Sequence, residues 1–247
     1  MDLKSKLQLY KTNQTVKTER AKESYEAVNE ALQGVSRCNG YGSYLLVENI
    51  YPDSYLHGGY SLGEAASVNM KCLKRICGEL DEHMQISDFV FIDTETTGLS
   101  GGVGTVAFLI GAGFFDKDTF ILRQYFMRDY DEELAVLNDL NSLLAAKKGL
   151  ITFNGKGFDW NLLQTRFTFN RIRPALAHPV HVDLLFPSRR IWKLKLESCR
   201  LASLEENILG ETRVDDIPGA QIPGIYFKFL QDRDTSEVKR VIKHNEL

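Results

Sequence analysis

From Asp88 onward, apolar and polar residues follow one another in blocks that match regular elements. Phe89-Val90-Phe91-Ile92 is a short, wholly apolar run of the kind that forms a buried strand. Thr105 to Phe115 reads as a second strand and Thr119 to Met127 as a third, with Asp116-Lys117-Asp118 as the hairpin turn between them. Asp131 to Ala146 changes period: Leu134, Leu137, Leu140, Leu143 and Leu144 recur at helical spacing, and Asp131 is the expected N-cap. A strand over Leu150-Ile151-Thr152-Phe153, a helix from about Asp159 to Asn170 and a strand from Val180 to Leu185 come next. Near the end, Glu237 to His244 is helical, with Val238, Val241 and Ile242 on its apolar face. Three antiparallel strands followed by helix, strand, helix and strand predict an α/β fold with a mixed sheet flanked by helices.

The chain before Asp88 is less regular. Residues 1 to about 40 are polar and charged with some helical spacing (Ala21, Tyr25, Val28, Leu32) closed by Gly34, and Tyr44-Leu45-Leu46-Val47 is strand-like. The division expected is an N-terminal extension over 1–87 and the main domain over 88–247. Six basic residues among the first 22 (Lys4, Lys6, Lys11, Lys17, Arg20, Lys22) read as a solvated helix face before they read as a phosphate contact.

Composition narrows the classes. With 43% of its 247 residues hydrophobic and 11% aromatic, the chain has material for one large domain, or for one domain with a smaller appendage, which excludes disorder as the main state. A net charge of -3 excludes a surface that is basic all over, so nucleic-acid contact must come from a local patch or from metal ions that offset acidic residues. Cys38, Cys72, Cys77 and Cys199 are too few and too badly spaced for a disulfide framework or a zinc site, and reduced thiols are expected. The first residues lack the apolar core of a signal peptide, and the most apolar stretch, Val106 to Phe115, has about half the ~20 residues a bilayer requires. A soluble, cytoplasmic protein with no membrane contact is expected.

Chemistry enters at Phe91-Ile92-Asp93-Thr94-Glu95-Thr96-Thr97-Gly98, where an apolar strand ends in two acids one residue apart. Side chains alternate along a strand, so Asp93 and Glu95 project from one face, about 7 Å apart along the backbone. Carboxylates held that close repel one another unless one binds a proton or both share a cation, and at the end of a buried strand a divalent metal is the economical solution. A second run, Phe153-Asn154-Gly155-Lys156-Gly157-Phe158-Asp159, again follows a strand and leads into a helix. Its glycines let the backbone turn tightly or approach a ligand, and Asp159 is either a helix cap or a third inward carboxylate.

Together these residues resemble the DEDD superfamily of proofreading-type exonucleases, named for four acidic residues, and within it the ribonuclease-H-like domain of bacterial YprB-type proteins. The resemblance runs from about Asp88 to the C-terminus and includes Ser100-Gly101-Gly102-Val103-Gly104, His181-Val182-Asp183-Leu184-Leu185, Cys199-Arg200-Leu201 and Asp215-Asp216-Ile217-Pro218-Gly219. It implies a ribonuclease-H-like fold and a metal-dependent 3′–5′ exonuclease, a phosphodiesterase and hydrolase acting on single-stranded DNA or RNA. Such sites hold two Mg²⁺ or Mn²⁺ ions, roughly 3.5–4 Å apart. Asp93 would bridge both, Glu95 would bind the ion that carries the attacking water, and Asp159 would hold the other. His244 matches the general-base position, while Thr96, Gly98, Asn154 and Gly155 would line the substrate. The family's fourth carboxylate follows in the pattern His-x-x-x-Asp, one residue beyond Leu247, so weak or absent nuclease activity is expected of the 247-residue chain.

Other features have plainer readings. Asp183 is expected to cap a helix or support a ligand rather than bind metal, and His181 to be a packed strand histidine. The glycine run after Gly98 precedes a strand rather than a helix, which removes the helix-dipole argument for phosphate binding and leaves a turn beside the substrate path. Arg189, Arg190, Lys193 and Lys195 around Trp192 form either a basic, aromatic strip for a single strand or a solvated helix with one packed Trp. Two rival functions stay open: a non-catalytic nucleic-acid-binding or scaffolding module with the same fold, and a phosphatase with an aspartyl nucleophile, which Glu95 disfavours because such sites usually carry a second Asp there.

Overall fold

The structure, a computed structural model, describes residues 25–78, 80–98 and 104–246. Ala21, the six early basic residues and the run 100–103 lie outside them. A helix ending at residue 31 (α1, described over 25–31) is followed by β1 (Val35–Asn39), β2 (Gly42–Pro52), a small hairpin of β3 (Leu56–His57) and β4 (Tyr60–Ser61), α2 (Leu62–Ala66) and α3 (Met70–Cys77). Then come β5 (Phe89–Thr96), β6 (Ala107–Asp116), β7 (Thr119–Phe126), α4 (Glu133–Leu144), β8 (Gly149–Thr152), α5 (Asp159–Phe169) and β9 (Val180–Asp183). The remainder is helical: α6 (Leu185–Trp192), α7 (Leu201–Leu204) running into a wide turn over Glu205–Leu209, α8 (Ile222–Asp232) and α9 (Ser236–Glu246).

Seven strands form one sheet in the order β1-β2-β7-β6-β5-β8-β9. Strands β5, β8 and β9 are parallel neighbours, and every other neighbouring pair is antiparallel. The predicted order of three antiparallel strands followed by two parallel ones is therefore present, and it defines a ribonuclease-H-like sheet. Chain direction reverses about β5, which continues into β6 on one side and pairs with β8 on the other. In open α/β sheets the carboxyl end of the strands at such a switch point is where ligands bind.

The segment ahead of Asp88 is built into this sheet. Tyr44, Leu45, Leu46 and Val47 are buried on β2, which pairs with β7 from Leu45↔Phe126 to Pro52↔Thr119. Val28 and Leu32 of the first helical stretch join the main core, which also takes α4, α5, α8 and α9. A smaller core of Met70, Leu80, Met84, Phe89, Ile151 and Val182 packs α3 and the loop after it against the parallel strands. The apolar stretch Val106–Phe115 forms nearly all of the interior strand β6 (Ala107–Asp116), which is buried except at Asp116. No helix among the described residues is long and apolar enough to cross a membrane, and the four cysteines stand as free thiols.

One capping expectation is corrected. Asp131 does not cap α4: the Asp129 side chain accepts from Tyr130 N at 2.8 Å and opens a 3₁₀ turn that contains Asp131, so α4 starts only at Glu133. Acids at both 129 and 131 gave the chain a choice of caps, and Asp129 takes it while the neighbouring Arg128 engages Glu132. Its guanidinium holds Glu132 at 2.6 Å, both side chains are nearly inaccessible, and its remaining donors reach Asn29, Ser36 and Ser43. Arg128 thereby pins the first helix and strands to the end of β7. Removing one partner of a buried ion pair strands the other charge, so Arg128→Ala should lower unfolding free energy by about 3–5 kcal/mol in urea titrations. A loss below about 1 kcal/mol, the value of an exposed pair, would contradict this role.

Candidate functional site at the carboxyl end of β5

Alternation places Asp93 and Glu95 on one face of β5 and Thr94 on the other. The row beside Asp93 is unusual. Asp93 pairs with Gly111 on β6 and Gly111 with Gln124 on β7, and α9 lies across that row. Asn245 of α9 fills the space over Gly111, where an added Cβ would meet Asn245 Oδ1 at 2.6 Å. From there Asn245 Nδ2 donates to Asp93 Oδ2 at 2.8 Å, and buried Gln124 donates to Asn245 Oδ1 at 3.0 Å and to the Ile242 carbonyl at 2.7 Å. A glycine inside a buried strand marks such a close approach.

The preceding residue of α9, His244, turns Nε2 to Glu95 Oε1 at 3.7 Å and Nδ1 to Asp216 Oδ1 at 2.5 Å. Two of the expected site residues are thus neighbours through α9, and Asp216 joins them from the loop before α8. Asp159 begins α5 as anticipated and is buried. It accepts the Thr94 hydroxyl, so it approaches the strand end from the face opposite Asp93 and Glu95. It is nevertheless close enough to be coupled electrostatically to both carboxylates. Among the described residues, no three His, Cys, Asp or Glu side chains converge tightly enough to hold a metal ion as they stand.

The second motif forms a tight loop. Asn154 has a left-handed backbone with φ of 64°. The carboxylate of Asp183 takes the N–H groups of Asn154 at 2.7 Å, Lys156 at 3.0 Å and Leu185 at 3.1 Å. Asp183 therefore ties the loop to the start of α6, which is the supporting role expected of it. A Cβ on Gly155 would lie 2.7 Å from Asp159 Oδ2 and 2.8 Å from Thr152 Cβ, so only glycine leaves the Asp159 carboxylate in place. Thr96 is buried with its hydroxyl donating to the Gly98 carbonyl at 2.8 Å, while the Asn154 side chain is exposed. His181 packs on β9 with Nε2 2.9 Å from the Thr152 hydroxyl, and burial holds its pKa low.

The strip singled out around Trp192 lies on α6 and just beyond. Arg189, Lys193 and Lys195 are exposed and Trp192 is half-buried, while Arg190 donates to the Ile76 carbonyl at 2.8 Å. Arg189 and Lys193 line a cavity of about 290 Å³ with Leu196, Glu197 and Cys199.

Electrostatics set the character of the site. Glu95 is pushed up to about 8, first by burial and then by repulsion from Asp93, Asp159 and Asp216. Asp159 rises to about 6, through burial and then Asp93. Asp93 is open to solvent yet sits deep among protein atoms, which raises its carboxyl, while Asn245 and His244 pull it back. Burial works against the Asp216 anion, but the hydrogen bonds from His244, the Ile217 backbone and Arg213 outweigh it and hold that carboxyl low. Crowded oxygen donors whose anionic forms repel one another suit a hard divalent cation such as Mg²⁺ or Mn²⁺.

The strand order and an acid-lined switch point define the class, an α/β protein with a ribonuclease-H-like sheet and a candidate acidic active site. The chain belongs to the ribonuclease H superfamily, whose family model matches residues 90–247. The Bacillus subtilis (strain 168) protein described as "Uncharacterized protein YprB" is 35% identical over 210 residues, which cover 83% of this chain and 50% of that protein. The chain thus spans about half the length of that relative. A solved structure described as "Exonuclease I (apo)" superposes with a TM-score of 0.42 at 17% identity, over 62% of this chain and 46% of that one.

A raised carboxyl carries a direct consequence for stability. Between 4.5 and about 8 the folded protein keeps the Glu95 proton that the unfolded chain has released. Stability is fully present below that window and falls as pH rises through it. In chelator, the melting temperature should therefore drop as pH climbs towards 8, and Glu95→Gln should flatten that slope. An unchanged slope in Glu95→Gln would show that Glu95 is not the group responsible.

Proposed function

We propose that this chain is the nuclease part of a metal-dependent 3′–5′ exonuclease that hydrolyses phosphodiester bonds at the end of single-stranded DNA or RNA, and that the 247 residues alone are weak or inactive. The observation that carries this reading is the Asp93–Glu95 pair at the carboxyl end of β5, with His244 Nε2 3.7 Å from Glu95. Membership of the ribonuclease H superfamily supports the nuclease class, and the DEDD resemblance of Asp93, Glu95, Asp159 and His244 supports exonuclease action from a 3′ end. In this reading residues 88–247 are the catalytic unit and 1–87 an extension whose strands β1 and β2 complete its sheet.

Asp93, Glu95 and Asp159 would hold two Mg²⁺ or Mn²⁺ ions. When bound, such ions supply the positive charge that activates water and steadies the leaving oxygen. The residues of the chain do the rest. Asn245 keeps the Asp93 carboxylate turned to the site, and Thr94 with Gly155 keeps Asp159 at the strand end. His244 takes the proton from the attacking water through Nε2, a transfer suited to an imidazole near neutral pH. Thr96 and Gly98 shape the turn beside Asp93, and Asn154 and Gly155 form the opposite lip against which the terminal nucleotide rests. The α6 strip, with Arg189 and Lys193 exposed beside Trp192, is the route for the phosphates of the incoming strand.

A binding module without turnover is favoured by a single observation, the absence among described residues of three metal-ligating groups already converged. One assay separates the two readings. In the full-length protein, Asp93→Ala with Glu95→Ala should abolish release of mononucleotides from a labelled single strand in Mg²⁺ or Mn²⁺, and undiminished release would overturn the exonuclease assignment. Strand binding that persists in excess chelator, with no product from any single strand, would favour the binding module instead. For the strip, Arg189→Glu with Lys193→Glu should weaken binding of a long single strand and flatten its salt dependence, while a dinucleotide is cleaved as before. Equal loss on both substrates would remove the strip from the strand's path.

A further inference from the structure

Asp216 lies in the run Asp215–Gly219, where the sequence showed no chemistry of its own, and the structure makes it a direct partner of His244. Its Oδ1 receives His244 Nδ1 at 2.5 Å and the Ile217 N–H at 2.9 Å, and its Oδ2 receives Arg213 Nη1 at 3.2 Å. Both oxygens are taken by donors, which sets Asp216 apart from Asp93, whose carboxylate accepts from the Asn245 side chain and stays open to solvent. Arg213 is in turn held by buried Glu205 through bonds of 2.6 and 2.8 Å. The turn that carries Glu205 is braced from a distant part of the chain, where Gly59 N–H donates to the Leu209 carbonyl at 2.7 Å. An ionised oxygen facing Nδ1 keeps the imidazole proton on that nitrogen and its lone pair on Nε2. Nε2 is the nitrogen turned to Glu95.

We infer that Asp216 is a positioning residue for His244, fixing its ring and tautomer so that Nε2 presents a free lone pair to the reaction centre, with Arg213 and Glu205 holding Asp216 in turn. The catalytic consequence rests on the exonuclease reading; the tautomer does not. The buried aspartate of a serine-protease triad plays the corresponding part towards its own histidine, through the same physics of an acid at Nδ1.

The test joins a spectroscopic readout to a double-mutant cycle. In the wild-type protein, ¹⁵N shifts of neutral His244 should show the Nδ1-protonated tautomer, and Asp216→Asn should lose that signature. In the full-length protein the same substitution should lower kcat for a labelled single strand by about 10²-fold with KM unchanged, the scale of a lost proton transfer. In a His244→Ala background it should cost nothing further, because residues that act as a unit are not additive. Asp216→Glu, which keeps the charge, should recover part of the rate and of the tautomer signature. An unchanged tautomer in Asp216→Asn, or a loss of rate that adds fully to that of His244→Ala, would overturn the inference. If Asp93→Ala with Glu95→Ala cleaves normally, the exonuclease reading fails on its own, and the tautomer measurement still decides the role of Asp216.

Discussion

Like charge gathered in a small volume is the constraint from which the rest of this architecture follows. Asp93, Asp159 and Asp216 all stand near enough to Glu95 to raise its carboxyl, which burial and their repulsion together push up to about 8. A fold tolerates such crowding only where neighbouring groups hold the acids apart in fixed positions or a cation joins them. Three of the acids have their own restraint: Asn245 for Asp93, Thr94 for Asp159, and Arg213 with His244 for Asp216. Glu95 faces His244 at a distance longer than a hydrogen bond. It is the member of the group whose charge only a proton or a cation offsets.

The sheet supplies the place and the helices supply the restraints. Reversal of chain direction about β5 makes its carboxyl end a switch point, and the chain sends three segments back to it. The loop after β8 brings Asp159, held in shape by Asp183 at the end of the next parallel strand. The loop before α8 brings Asp216. Helix α9 brings His244 and Asn245 together, and it can lie that low on the sheet because residue 111 is glycine and residue 124 is a buried glutamine that bonds to it. The candidate site at the strand end and the packing over the middle of the sheet therefore draw on the same few residues.

Much of this was legible in the sequence, and what was not has a physical reason. Apolar runs bounded by turns and helical spacing located β5 to β9, α4, α5 and α9, and alternation alone put Asp93 and Glu95 on one face. The pairing of β2 with β7 was not legible, because partners such as Leu46 and Tyr125 are brought together by the fold and not by local spacing. The cap of α4 was misplaced because Asp129 opens a 3₁₀ turn that takes in Asp131 before the α-helix begins at Glu133. Asp216 and Asn245 were missed as site residues because their partners lie 28 and 152 residues away. Two signals pointed towards Asn245 and none towards Asp216: Gly111 within an apolar strand, where something must approach closely, and Gln124 on the next strand, which once buried needs a polar partner.

The central claim is that these acids gather around divalent ions. Titration with Mn²⁺ followed by electron paramagnetic resonance tests it without reference to any substrate. Two ions about 3.5–4 Å apart should couple magnetically and quench the signal of isolated Mn²⁺, and Asp93→Asn should abolish the coupled pair. Isolated Mn²⁺ signals that persist unchanged through the titration, or a coupled pair that survives Asp93→Asn, would contradict the account.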